Sequence, residues 1–294
     1  MRRVRSIDRL TRDEVQGNEG LIVDLDDTVL DHGRLTPVAY AALCRASDEG
    51  LPVLVATGRP AGWGEVLARQ WPVVGVVTEN GSVAFVRVGA GIERLESVDA
   101  SERSERRRRL DRAAAAMQER FPGLELADDN TTRRSDVTLD IGERARVPAA
   151  QVAQMAALGR SWGFRVTVSS VHLHLTLDGD DKASGALAFL HRQRGVDPSR
   201  ARVRWAFVGD SGNDAPCFAA FGLTFGVANV APYVRHLTRP PRYVTEHPRG
   251  AGFAEVVTAL LPPVRSPDVL GEVNRQDSRT RSDHLRMSQR NLPL

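Results

Sequence analysis

The stretch Leu21-Ile-Val-Asp-Leu-Asp-Asp-Thr28 decides the architecture. Its aliphatic part, residues 21–25, reads as a strand buried on both faces, which is what a parallel sheet covered by helices requires. Its acidic part, DLDDT at 24–28, falls at the carboxyl end of that strand, and ligands in open parallel sheets bind outside those ends. Two carboxylates one residue apart there suit a hard divalent cation of the magnesium type, which wants oxygen ligands. Asp24 is also of the residue type that forms aspartyl phosphates in phosphoryl transfer. An acidic turn is the plainer alternative for the pentapeptide alone. A calcium loop of EF-hand type would want Gly and Glu where the chain has Val29 and Leu35.

Outward from this stretch, Thr36-Pro37 supplies an N-cap and first-turn proline for a helix ending near Gly50. Residues 52–56 and 73–77 read as further buried strands, with a helix over 65–70 between them. Alternating strands and helices predict a parallel sheet with helical crossovers. After Gly81 the style changes to mixed α+β: a hairpin over 82–87, a helix over 104–120, a strand over 136–141, a helix over 148–162, and strands over 164–169 and 172–177. From Lys182 the first style returns, with strands over 204–208, 223–227 and 243–245. The expected fold is therefore α/β, with a Rossmann-like parallel sheet core from residues 19–82 and 180–261 and an inserted α+β cap over 83–179. Residues 1–18 and 262–294 are polar and aperiodic and are expected to be loosely ordered tails.

Composition narrows the function classes. The 294 residues are 41% apolar, enough for a real core, and 37 acids nearly offset 40 bases. That balance gives a mildly basic surface rather than a nucleic-acid stripe, so no nucleic-acid partner is expected. No apolar run is long enough to span a bilayer, and the Arg-rich N-terminus lacks a signal peptide's apolar stretch, so no membrane association and a cytoplasmic setting are expected. Cys44 and Cys217 are far apart and lack metal-ligand spacing. Nearly all the bases are Arg; the one lysine is Lys182, in GDDKASG at the start of a predicted helix, where the helix dipole disfavours a cation. Neutralising a phosphate would justify it there.

Three further motifs follow predicted strands. TGR, 57–59, offers a hydroxyl and flexible backbone for phosphate oxygens. ENG, 79–81, is a strong turn signal. GDSGNDA, 209–215, presents Asp210 and Asp214 four residues apart on a tight loop entering a helix. Each falls at the carboxyl end of a strand or at the insertion boundary.

This set resembles the haloacid dehalogenase-like phosphatase superfamily over about residues 20–261, with DLDDT, the Thr57 region, Lys182 and GDSGND matching its four motifs in order. The insertion between the second and third motifs is similar to the subgroup that includes Cof-type sugar phosphatases and the sucrose-, trehalose- and mannosyl-3-phosphoglycerate phosphatases. GVANVAP, 226–232, and RYVTEHPRGAGFAEVV, 242–257, also read like its core ending. One departure is Asp27, where Gly is commonest in the family.

The resemblance implies that Asp24 attacks phosphorus and that Asp26 protonates the leaving oxygen and then activates water. It implies Mg2+ held by Asp24, the Asp26 backbone carbonyl and Asp210, with Asp214 supporting that shell. Thr57, Gly58, Lys182 and Asn213 would bind the phosphoryl group. In the cap, Arg133, Arg134 and the pair His172 and His174, which share one face of a strand, are the candidates for meeting substrate, with a phosphosugar as the favoured class. A phosphomutase on the same fold and a non-enzymatic nucleic-acid-binding protein are the alternatives.

Overall fold

The computed structural model describes residues 4–169 and 171–261. The expected C-terminal tail at 262–294 lies outside the described residues.

The chain starts with β1 (Arg5–Ser6) and α1 (Arg12–Val15). These residues correct the expectation of a loose N-terminal tail. β1 pairs in parallel with β14 through Arg5↔Tyr243, Ile7 is buried, and Glu14 accepts from Arg5 at 2.7 Å and Arg242 at 2.8 Å. Arg5 also stacks on the Tyr243 ring at 4.4 Å. Ion pairing and backbone pairing to a distant strand order the segment, and neither leaves a hydrophobic period to read.

β2 (Gly20–Val23), the hairpin β3 (Leu30–Asp31) and β4 (Arg34–Leu35), α2 (Pro37–Asp48), β5 (Val53–Ala56), α3 (Ala61–Gln70) and β6 (Gly75–Thr78) follow. Thr36 caps α2 by accepting from Ala39 N, as Thr-Pro predicts. β7 (Val83–Val88) then continues the same sheet antiparallel to β6 from Thr78↔Val83, and β8 (Gly91–Glu96) pairs antiparallel to β7 at the edge. Sequence reading assigned residues from 83 to the insertion; hydrogen bonding keeps 83–96 on the large sheet, because Gly81 at φ 117° folds the hairpin back against β6. Sequence pattern reveals a hairpin but not its third partner.

A smaller three-stranded sheet, ordered β10-β11-β9, comes next in the chain. It comprises β9 (Asp136–Asp140), β10 (Arg165–Val168) and β11 (His172–Thr176), with α4 (Ala100–Arg120) and α5 (Ala149–Ser161) packed on it. Leu110, Met117, Val137, Leu139, Met155, Leu173 and Leu175 form its own buried core. The chain returns through α6 (Lys182–Arg194), α7 (Pro198–Arg204), β12 (Trp205–Gly209), α8 (Ala215–Ala220), β13 (Leu223–Gly226), β14 (Tyr243–Val244) and α9 (Arg249–Leu260).

The large sheet runs β1-β14-β13-β12-β2-β5-β6-β7-β8 and is parallel from β1 through β6. From β2 the chain proceeds outward through β5 and β6, then returns to the other side of β2 through β12. The direction of winding therefore reverses between β2 and β12, and a crevice opens beyond their carboxyl ends. Among the described residues, no helix is long and apolar enough to cross a membrane.

Candidate active site

Val23 and Val208 are register partners on β2 and β12, so Asp24, directly after the first, and Asp210, two residues after the second, emerge near one another at the crevice. Asp24 is 3% exposed. Lys182, the first residue of α6 and 1% exposed, sends its Nζ to Asp24 Oδ1 at 2.6 Å and to Asp214 Oδ1 at 2.8 Å. Its position at a helix start is thus offset by two carboxylates, and Asp181 caps the helix by accepting from Ser184 N. Asp214 uses its other oxygen to accept from the backbone N–H groups of Asp210 and Ser211. Both Asp214 oxygens are therefore occupied.

Asp24 and Asp210 differ in this respect. Asp24 Oδ2 and Asp210 Oδ1 each lie 3.5 Å from the Thr28 hydroxyl and have no closer partner, while Asp210 Oδ2 accepts from Asn229 Nδ2 at 3.0 Å. Oxygens of Asp24, Asp210 and Asp214 lie within 4.8 Å of one another. One ammonium faces three buried carboxylates. Burial and the Asp214 charge push Asp24 upward, and burial and the Asp24 charge push Asp210 upward, so the cluster is strained toward taking up a proton or a cation. An all-oxygen donor set with surplus negative charge fits a hard divalent cation. The two carboxylates with spare oxygens are those of Asp24 and Asp210.

Asp26, with a side chain 39% exposed, faces Arg59, which donates from Nε at 3.0 and 2.9 Å and from Nη2 at 2.8 Å. Arg59 also stacks on Trp63 at 4.6 Å. It closes the TGR motif, yet sequence reading singled out only its two neighbours. Thr57 is fully buried and accepts from Arg59 N at 3.0 Å; the carbonyl of Gly58 accepts from Arg133 Nη1 at 3.1 Å. Asn213 accepts from Ser211 Oγ at 2.7 Å.

These loops form the floor of a cavity of about 260 Å³, lined by Asp24, Asp26, Gly58, Arg59, Asp210 and Asn213 below and by Arg133, His172 and His174 above. The two histidines share the cavity face of β11, as their alternate spacing predicts. His174 Nδ1 lies 2.9 Å from Asp136 Oδ2 and 3.0 Å from Thr138 Oγ1, and His172 Nε2 lies 2.8 Å from Glu143. Every guanidinium nitrogen of Arg133 already donates, to Asp129, Asp136 or Gly58. Lys182 lines an adjoining pocket that shares Asn213 and His174 with this cavity, while Thr57 and Asp214 are fully buried.

Arg134 does not join this group, which corrects its candidacy. Its Nε binds Glu96 at 2.7 Å, and it lines a separate groove with Arg103 and Arg107. Arg133 lines both spaces, whereas Arg134, held by Glu96, lines only the second.

Sequence reading also missed Asn229, which ties Asp210 Oδ2 to the Asp27 carbonyl at 3.0 Å each, and Arg249, which binds Asp27 at 2.9 Å. Asp27 sits at φ 53°, in the left-handed region. That conformation explains the family's Gly there, and Asp is among the few side chains that tolerate it.

A family model described as haloacid dehalogenase-like hydrolase matches residues 21–91. A phosphoglycolate phosphatase of Pyrobaculum neutrophilum is 32% identical, over 83% of this chain and 96% of that protein. Two solved structures share the fold: Thermoplasma acidophilum 0175, with TM-score 0.65 and 18% identity over 82% of this chain and 96% of that one, and the Synechocystis sucrose-phosphatase in complex with sucrose and phosphate, with TM-score 0.60 and 19% identity over 83% and 98%. With a cavity built on DLDDT, TGR, Lys182 and GDSGND, and with these relatives, the chain belongs to the haloacid dehalogenase-like hydrolases and is a phosphatase.

Proposed function

We propose that the enzyme is a magnesium-dependent phosphomonoester hydrolase that works through an aspartyl phosphate on Asp24, and that its substrate is a small sugar phosphate. The observation that carries this reading is the convergence of Asp24, bound to the buried ammonium of Lys182, and Asp210, each with an oxygen whose nearest partner is the Thr28 hydroxyl at 3.5 Å. Asp24 attacks phosphorus, the bond to the leaving oxygen breaks, and Asp26 supplies that oxygen's proton. Asp26 then takes a proton from the water that attacks the phosphoenzyme, which frees Asp24 and inorganic phosphate. Without substrate, Arg59 donates to both Asp26 oxygens and holds it as a carboxylate; to act as the acid, Asp26 takes up a proton from solvent and gives up one of these hydrogen bonds when substrate binds. Gly58 and Asn213 contact the phosphoryl group from the floor, while Thr57 and Lys182 support them from behind, and Asp214 holds Lys182 and the loop that carries Asp210. Asp24, Asp210 and the Asp26 carbonyl would hold Mg2+, whose charge offsets that of the phosphoryl oxygens.

Residues 97–181, rather than 83–179, serve as the cap that covers the site and selects the leaving group. Asp136 only accepts, so His174 Nδ1 carries the proton, and burial lowers the imidazole's affinity for a second one. Its Nε2 is then a hydrogen-bond acceptor suited to a substrate hydroxyl, and a cavity of about 260 Å³ suits a single sugar ring. A second reading, a phosphoglycolate-like substrate, draws on the relatives' printed function. It is disfavoured because the Arg133 charge is already paired with Asp129 and Asp136.

The test is phosphate release from p-nitrophenyl phosphate with and without Mg2+, then from hexose phosphates and 2-phosphoglycolate. Asp24→Asn should abolish release, and full turnover by that variant would remove the nucleophile from Asp24. Net phosphate release also separates hydrolysis from mutase chemistry.

A further inference from the structure

The ENG loop does more than turn the chain. Glu79, Asn80 and Gly81 have φ of 50°, 55° and 117°, three consecutive residues in a region that side chains rarely adopt. The loop is fixed at its backbone: Glu79 N donates to Arg59 O at 3.0 Å and Asn80 N to Thr57 O at 3.1 Å. A Cβ on Gly81 would come within 2.3 Å of Asp181 O, so the loop also packs against the residue preceding Lys182.

This backbone aims the Glu79 carboxylate, 3% exposed, at the segment that leads into β9. It accepts from Ala61 N at 2.9 Å, from Arg134 N at 2.9 and 3.1 Å, and from Ser135 N and Ser135 Oγ at 2.5 Å each. All four partners are donors, which only an ionised carboxylate can satisfy with both oxygens. The residues flanking the pinned pair are Arg133, which reaches Gly58 O, and Asp136, which holds His174.

We propose that Glu79 is a positioning residue that pins the cavity's roof to the TGR loop, fixing the register of Arg133 and His174 over the cavity where the leaving group sits. The proposal rests on the reading of residues 97–181 as the cap. Its carboxylate touches no reacting atom; it acts through Arg134 and Ser135. A Gln at 79 keeps the size but turns an NH2 toward N–H donors in either orientation, so it should loosen the pin.

The experiment compares wild type with Glu79→Gln and Glu79→Asp on p-nitrophenyl phosphate and on the fastest-hydrolysed aliphatic phosphate monoester of a panel. KM for the aliphatic substrate should rise by about tenfold or more in Glu79→Gln, with kcat on the aryl phosphate within about threefold, and Glu79→Asp should recover part of the loss. Hydrogen exchange at the Arg134 and Ser135 amides, measured on the substrate-free protein, should accelerate in the same variants whatever the substrate, which keeps this inference separable from the phosphosugar reading. Unchanged exchange, or equal losses on both substrates in a folded variant, overturns the proposal. If Glu79→Gln does not fold, Ser135→Ala is read by the same two measurements and decides it.

Discussion

The ammonium of Lys182 lies 2.6 Å from a carboxylate oxygen of Asp24, a residue 158 positions earlier in the chain. Both groups are buried, and the same ammonium binds Asp214 at 2.8 Å. Replacing it leaves three carboxylates facing one another without their cation. Lys182→Met should lower stability by about 3 kcal/mol or more, as breaking a buried ion pair does. Lys182→Arg should not restore phosphatase activity, because a planar guanidinium does not fit a site shaped for one compact ammonium. Thermal melts and phosphate release test both statements, and an active Arg variant would contradict the geometry.

If Asp24 and Asp210 hold a cation, the fold should respond to it. Mg2+ at 100 times its Kd should stabilise the folded protein by about 2.7 kcal/mol, the linkage expected for one site absent from the unfolded chain. Asp210→Asn should melt with little Mg2+ dependence. Differential scanning calorimetry across a Mg2+ series measures this, and equal responses in the two proteins would move the cation elsewhere.

If His174 Nε2 accepts from a leaving-group hydroxyl, His174→Phe should lose about tenfold in kcat/KM on a hexose phosphate and much less on 2-phosphoglycolate, a difference worth one hydrogen bond. A parallel loss on both compounds would count against the phosphosugar assignment.

Asp136 provides a pH signature. Burial pushes its carboxyl upward, but the Arg133 guanidinium and the His174 hydrogen bond outweigh it and hold the group down to about 2. A carboxylate with a depressed folded value adds stability above its ordinary value near pH 4 and loses it as the pH falls toward 2. Asp136→Asn should therefore cost about 2 kcal/mol at pH 7, with the gap from wild type closing between about pH 4 and 2. Because the group is buried, added salt should change the gap little. Urea unfolding at several pH values reads it directly.

Much of the site was legible because chemistry and spacing coincide in the chain. Aliphatic runs ended at DLDDT and GDSGND, and the placement of carboxylates after buried strands told where a crevice would form. The single lysine stood out by composition alone. His172 and His174 were assigned to one face by the strand period, and they share it. Arg134 was misjudged because adjacency in sequence does not say which of two neighbours faces inward. The boundary at residue 83 was misjudged because a hairpin carries no mark of the strand it joins.

The sequence by itself determined the parallel sheet and the identity of the acids and the lysine, since these follow from local periodicity and residue chemistry, and its ordered motifs carried the resemblance to the family. Only the tertiary structure decided which oxygens remain free. Asp214 is spent on Lys182 and two backbone amides while Asp24 and Asp210 keep an oxygen each, Arg59 belongs to Asp26, and Glu79 belongs to Arg134 and Ser135. Apart from the two amide contacts inside the Asp210 loop, those pairings span 32 to 56 residues, and hydrogen bonds depend on angstrom-scale distance and direction that no one-dimensional pattern encodes.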